Sequence, residues 1–363
     1  MRKNWIYWFL ICLMSITTAC NVCDNSGVPQ DAILKEIYFN SKNLNNESMN
    51  ILGINAEGTN LEEVLYNSML FSPPSKNNFI TYLDYYNSNR IYLYNLKKKS
   101  TRLAFEDKSS FFYNPKISDN GKYIVVNKNH VSLLIIKIDN DSIFNLVGEI
   151  HTINNEFFDF TISPNSQKLA YFTNLNDKIF LEIYDFTQTK VTFRYDLNQE
   201  INKIDESDKF IAFWSQDSDN IFYFIKEVDG SNNLIKIMLS KSQINNYNLN
   251  NIEINEICPI DLIINSESLN TFDIFISAKS GEISMLTLND KEIINNRIIA
   301  EANQNEFCKN LNYNYNTKCM LYNKVNNLEN IDNLGNLYIF DNNTTQNKYL
   351  FSNSGAGYWV DKE

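Results

Sequence analysis

The sequence predicts an all-β protein: a β-propeller of seven four-stranded blades, closed by pairing its C-terminal strand with strands from its N-terminal end. Three observations carry the prediction. A strand–turn–strand pattern recurs six times, with markers Ser72, Ser118, Ser163, Ser215, Asn265 and Asn314 spaced by 46, 45, 52, 50 and 49 residues. Periods of about 40–50 residues holding four short strands each belong to propellers. Runs rich in aromatic and β-branched residues, divided by polar turns, fill each period. One strand-like run is left over at the C-terminal end and three at the N-terminal end, the complement of one more blade. Six and eight blades are the alternatives. The ring counts as a single domain, against a length prior of about two domains for 363 residues.

The first segment reads as an address. Arg2 and Lys3 precede an apolar run from Trp5 to Ile16, and the small residues Thr17, Thr18 and Ala19 lead into Cys20. The apolar run is too short for a stable membrane-spanning helix and has the flanks of a signal peptide. After cleavage, residues 20–31 form a tether, since Asn21 to Gln30 is short, polar and turn-rich. Removing Arg2 and Lys3 takes the side-chain charge from −11 to −13.

Residues 32–363 hold the ring. Its three N-terminal runs are LKEIYFN, MNILGIN and LEEVLYN; Leu61 to Leu70 is the best helical candidate in the chain, and it also reads as strand. The repeat units then begin at FSPPSKNNFITYL, ISDNGKYIVV, ISPNSQKLAYF and WSQDSDNIFYF, with weaker copies at INSESLNTFDIFI and YNYNTKCMLY. In the third unit FDFTIS, KLAYFTN, IFLEIYDF and VTFRYDL are the four strands, and PNSQ, LNDK and QTK are the turns. After KYLFSN the chain continues as SGAGYWVDKE, one further innermost strand. Pairing it with the N-terminal strands closes edges that an open ring would expose. The 59 asparagines, beside ten glycines and six prolines, supply turn conformations that Gly and Pro supply elsewhere, because Asn tolerates the left-handed region and forms Asx turns.

Two resemblances follow from these residues. The small residues before Cys20 resemble the lipobox of bacterial lipoproteins, which implies a diacylglycerol on the Cys20 thiol and an acylated new amine. Thr17 stands where the common pattern has Leu, and the looser lipoboxes of spirochaete lipoproteins accommodate that. An ordinary signal peptide cut near Ala19, with Cys20 a plain thiol, is the alternative. The pattern ISPNSQKLAYF, with LEIYDF and LYIFDN, resembles the repeats of WD40-like and Tol-system propellers, although the GH and WD dipeptides of true WD40 repeats are absent. In fold and anchor together the chain is similar to the propeller lipoprotein of the outer-membrane β-barrel assembly machinery. That likeness implies a lipid-anchored scaffold, a monomeric ring whose partners are envelope proteins such as a barrel-assembly subunit, at the periplasmic face of the outer membrane or at the cell surface.

Chemistry is harder to place. The negative charge argues against nucleic acid or anionic lipid head groups as partners. His130 and His151 are the two histidines, and no phosphate loop, GxSxG, HExxH or EF-hand pattern occurs. Neither a cofactor nor a metal is expected. Asp159, Asp261 and Asp361 fall near inner-strand positions, where propeller glycosidases place carboxylates; acids on turns and strand ends are the plainer reading. Asp139-Asn-Asp141 lacks the Gly and distal Glu of a calcium loop and reads as a turn. Beyond Cys12 and Cys20 stand Cys23, Cys258, Cys308 and Cys319. Cys258 and Cys308 lie seven and six residues before their markers on successive innermost strands, so they are a possible disulfide, or else two small buried hydrophobes. Lys97-Lys98-Lys99 reads as a solvated turn. Trp214, Trp359 and most Tyr and Phe are core, with a minority free to form a binding patch. The leading reading is a non-enzymatic scaffold for other proteins; a surface lipoprotein that binds a host or environmental ligand is the alternative, and a glycan hydrolase is the less favoured third.

Overall fold

Among the described residues, strands alternate with tight turns. A computed structural model describes residues 35–42, 49–84, 86–140, 143–152, 160–176, 178–197, 212–226, 232–249, 254–264, 270–278, 280–289, 291–301, 303, 306–314, 316–326 and 334–360. Among them no helix is long and apolar enough to cross a membrane. Leu34–Glu363 form one compact unit.

Five sheets hold four consecutive antiparallel strands each. They are β4–β7 (Ser68–Phe71, Phe79–Asp84, Arg90–Asn95, Ser100–Glu106) and β8–β11 (Phe112–Ile117, Tyr123–Lys128, Ser132–Asp139, Ile143–His151). Next come β12–β15 (Thr161–Ile162, Lys168–Leu175, Lys178–Asp185, Lys190–Asp196) and β16–β19 (Ala212–Trp214, Asn220–Lys226, Asn232–Met238, Gln243–Asn248). The fifth is β20–β23 (Ile254–Ile264, Asn270–Ala278, Ile283–Leu288, Ile293–Ala300). Each marker follows the first strand of its sheet or ends it, and the repeat unit is therefore the sheet. The Asn265 turn lies outside the described residues.

The remaining strands form one seven-stranded sheet in the order β24-β25-β26-β27-β1-β2-β3. Here β24, β25 and β26 are Phe307–Asn314, Cys319–Val325 and Gly335–Asp341, and β27 is the 14-residue Gln346–Trp359. From the other end come β1 (Ile37–Lys42), β2 (Met49–Ile54) and β3 (Glu62–Leu65). β27 pairs with β26 from Gln346 to Ser354 and with β1 from Ser354 to Trp359. The two expected C-terminal strands are thus one strand serving two neighbours. The candidate helix at Leu61 to Leu70 is β3 and β4, parted by a left-handed Asn67.

Packing explains why inner strands lose strict alternation. Sheets pack on one another, so β10 and β13 bury residues on both faces, whereas β7 and β11 are largely exposed. The apolar clusters fill the spaces between successive sheets. Leu83, Ile91 and Phe112 join the β4–β7 and β8–β11 sheets, and Phe222, Leu234 and Ile276 join the β16–β19 and β20–β23 sheets. Tyr38, Ile51 and Val360 meet Phe71 and Ile80, linking the terminal strands to β4 and β5. Asparagine does the work expected of it: nine of the seventeen non-glycine residues at positive φ among the described residues are Asn. Asn114 and Asn310 sit at register shifts in β8 and β24, where the left-handed residue makes a bulge.

Candidate functional site

The turns after the innermost strands converge on one face and are tied together there. In four of the turns the marker serine accepts a backbone N–H from the next strand. Ser72 Oγ accepts from Thr81 at 3.0 Å, Ser118 from Tyr123 at 2.9 Å, Ser163 from Lys168 at 2.9 Å and Ser215 from Asn220 at 3.1 Å. Asn314 Oδ1 accepts from Asn316 and Thr317, both at 2.9 Å. These serines are buried, and a short hydroxyl is what satisfies a donor there without bulk.

A second set of bonds runs from turn to turn. Lys76 N donates to Asp119 O at 2.7 Å, and Asn77 Nδ2 donates to Asn120 O at 2.8 Å. Asn120 N donates to Ser166 Oγ, and Asn165 N to Ser218 Oγ, each at 3.0 Å. Ser166 and Ser218 lie three residues after their markers with φ of 59° and 60°; Gly121 holds the same place at 68°. The signal for this latch is a second Ser or Gly three residues after each of the first four markers, in SPPS, SDNG, SPNS and SQDS, and it is invisible until the turns are stacked. Ser166→Ala removes an acceptor while keeping a Cβ in the left-handed region, at an expected cost of about 1–2 kcal/mol. Ser166→Gly relieves the backbone and should cost about 1 kcal/mol less. Chemical denaturation of the pair checks the order.

The turns surround a recess of about 350 Å³. Pro73, Pro74 and Pro164 stiffen its rim, while Gln216, Asn312 and Asn316 offer amides. Its charges, Lys76 and Asp119, are 3.8 Å apart and largely exposed. Beside it is a cleft of about 520 Å³ between the strands at the two ends of the chain, walled by Ala56, Cys319, Ile339 and Val360 and rimmed by Glu36, Glu57, Asp341 and Lys348. Asn314, Asn316 and Trp359 line both spaces, and Trp359 N donates to Asn312 Oδ1 at 3.2 Å. The Trp359 indole N–H is buried without a partner among the described residues. Glu36 Oε2 accepts the Ala56 N–H at 2.7 Å, and Lys348 Nζ donates to Ala56 O at 3.2 Å. Partial burial raises the Cys319 thiol above its ordinary pKa.

Several aspartates hold turns. Hydrogen bonds from the Ser109 and Ser110 hydroxyls, with the Ser109 N–H, hold the Asp107 carboxyl well below its usual range. The Asn343 N–H and Thr344 hydroxyl do the same for Asp341. Their folded-state values are depressed, so their contribution is present above the unfolded carboxyl pKa of about 4 and is lost as pH falls through the folded values. The thermal midpoint should therefore be flat from neutrality to about pH 5 and fall below about pH 4, with a shallower acid limb for D107N/D341N.

The residues singled out in the sequence scatter. Cys20, Cys23, Asp159 and Asp361 lie outside the described residues. Asp261 is on β20 beyond a register shift, opposite Asp273, and its side chain lies outside the described residues, as does that of Cys258. Cys258 pairs with Phe275 and Cys308 with Lys324 on the neighbouring first strands β20 and β24. Cys308 carries a buried free thiol, pushed up to about 12 by burial. Lys99 is not simply solvated: its ammonium meets Glu62 at 2.5 Å, and Glu62 also meets Lys35 at 3.4 Å. Asp139 bonds Lys137 and Asn145. Trp214 is core and donates to Thr161 O at 3.1 Å. Among the described residues no three His, Cys, Asp or Glu side chains group to hold a metal. At the opposite ends of the strands, Tyr66, Tyr86 and Phe111 are 68%, 65% and 60% exposed in the β3–β4, β5–β6 and β7–β8 connections.

No protein-family model matches the chain, and no curated protein matches it in sequence. Solved structures match in fold. The tricorn protease is similar at TM-score 0.58 and 12% identity over 92% of this chain, which spans 36% of that protein. The β-propeller domain of Myceliophteria thermophila Cps50 (Swd1) gives 0.52 and 13%, covering 82% of this chain and 87% of that one. Kluyvelomyces marxianus Hsv2 gives 0.51 and 10%, covering 85% and 92%. At these identities the likeness establishes a propeller fold.

Proposed function

We propose that the mature chain is a non-enzymatic interaction scaffold of the cell envelope, a seven-bladed ring anchored by lipid on Cys20. The observation that carries the scaffold reading is the latched face: hydrogen bonds between successive turns hold a rigid, amide-lined recess beside an apolar cleft. A preformed concave surface binds a partner's segment without first ordering its own loops. The ring count is supported by β27, which serves as the outer strand of one blade and the inner strand of the next, and by the apolar cluster joining β1 and β2 to β4 and β5. The anchor is supported by the sequence around Cys20, since several acyl chains give stable attachment where one is marginal.

Outer-membrane protein assembly is the process we favour. Loss of the protein should lower the abundance of outer-membrane barrels, and unchanged levels would remove that role. The second reading, a surface lipoprotein that binds a host or environmental ligand, is favoured by the 520 Å³ cleft with its apolar walls. Protease treatment of intact cells separates the two, because a periplasmic ring survives until lysis and a surface ring does not. Intact-mass measurement of protein extracted from membranes tests the anchor: acylation of wild type that disappears in Cys20→Ser supports it, and a chain starting at an unmodified Cys20 excludes it.

A further inference from the structure

We infer that the 520 Å³ cleft takes a segment of a protein partner that presents a lysine or arginine beside apolar residues, an inference that rests on the scaffold reading. The walls set the first requirement. Ala56, Cys319, Ile339 and Val360, with the Trp359 indole, offer a mostly apolar surface, and such a surface favours a ligand that buries carbon on entry. The rim sets the second. It carries the carboxylates of Glu36, Glu57 and Asp341 against the one ammonium of Lys348, so acid is in excess. Glu36 and Lys348 both hold the β2–β3 turn, one on the Ala56 N–H and the other on its carbonyl. Glu57 stands exposed in the same turn. Asp341 ends β26, and its bonds from the Asn343 N–H and the Thr344 hydroxyl keep it ionised.

A bare metal ion does not meet both requirements. Among the described residues no three His, Cys, Asp or Glu side chains group to hold one, and apolar walls give it no ligands. A lysine or arginine side chain meets both, because its aliphatic stem lies along apolar surface while its charged head stays at the mouth among carboxylates. The neighbouring recess accounts for the rest of the segment. Asn314, Asn316 and Trp359 line both spaces, so a chain whose side chain enters the cleft passes over the amides of the recess. Amides pair with a peptide's N–H and C=O groups alike. The net charge of −11 favours the approach of a basic partner.

The test is selection of a random-peptide phage library on the full chain in mild detergent, followed by fluorescence-anisotropy titration of the enriched peptides. Enriched sequences should pair a Lys or Arg with apolar neighbours. Replacing that residue by Gln should weaken binding about fivefold. Glu57→Gln should do the same, and the two changes together should cost little more than either alone. Glu57→Lys should weaken binding about tenfold, and Ala56→Phe, which fills the cleft without altering its charge, should abolish it. Val191→Lys on β15 is the control and should bind as wild type does. Melting curves show which variants are folded; if Ala56→Phe unfolds, Thr317→Trp at the cleft replaces it. Enrichment of acidic or uncharged peptides, basic peptides indifferent to the changes at Glu57 and Ala56, or no enrichment at all would each overturn the assignment. None of these results touches the scaffold reading, which crosslinking from the recess rim in intact cells tests separately.

Discussion

A chain ending at Ser354 is expected not to fold. Gly355 to Trp359 supply the part of β27 that pairs with β1, and without them β1 becomes an open inner edge. Tyr358 and Val360 also leave the cluster that joins the terminal strands to β4 and β5, and Trp359 leaves the one around Phe39 and Leu337. Burying these three side chains is worth at most about 4.5–9 kcal/mol at about 1.5–3 kcal/mol for each one fully buried, a large part of the 5–15 kcal/mol that typically holds a native fold. The expected result is an aggregated or protease-labile product, measured by circular dichroism and limited proteolysis beside the full chain. A truncated chain that melts cooperatively near the wild-type temperature would mean that the β27–β1 pairing does not hold the fold.

Phe39→Ala should produce the second-largest effect. Phe39 is fully buried on β1 and packs with Leu321, Leu337 and Ile339 of β25 and β26, its ring 5.0 Å from that of Phe351. Truncating a buried Phe removes its transfer energy and leaves a cavity, together about 3–5 kcal/mol. For a domain of this size that corresponds to a fall of roughly 4–8 °C in melting temperature. Leu103→Ala, on an exposed outer-strand position, should move it by less than about 1 °C.

The repeat was legible because its signal is local. A hydroxyl or amide at the end of an inner strand, a polar turn and a second apolar run suffice to mark each unit, and the strands of the third unit fall where the pattern puts them. The continuity of β27 was not legible. KYLFSN and SGAGYWVDKE read as two strands, yet Asn353 at φ 50° makes a bulge and the chain runs on. Gly357 permits the close packing that follows, since a Cβ there would lie 3.0 Å from Leu337 Cδ1. The cleft was hidden for a related reason: Glu36, Cys319 and Trp359 meet only because the two ends of the chain share a sheet. Short-range patterning therefore identified the units, while the recess walls and the turn-to-turn latch depend on how units stack.

Site-specific photo-crosslinking in intact cells tests the scaffold claim most directly, with the crosslinker at Gln216 and Asn316 on the recess rim and at Val191 on the outer strand β15. The account predicts a discrete adduct with one envelope protein from both rim positions, none from Val191, and loss of the adduct in Cys20→Ser. Rim positions that give no adduct, or the same mixture as Val191, would contradict it.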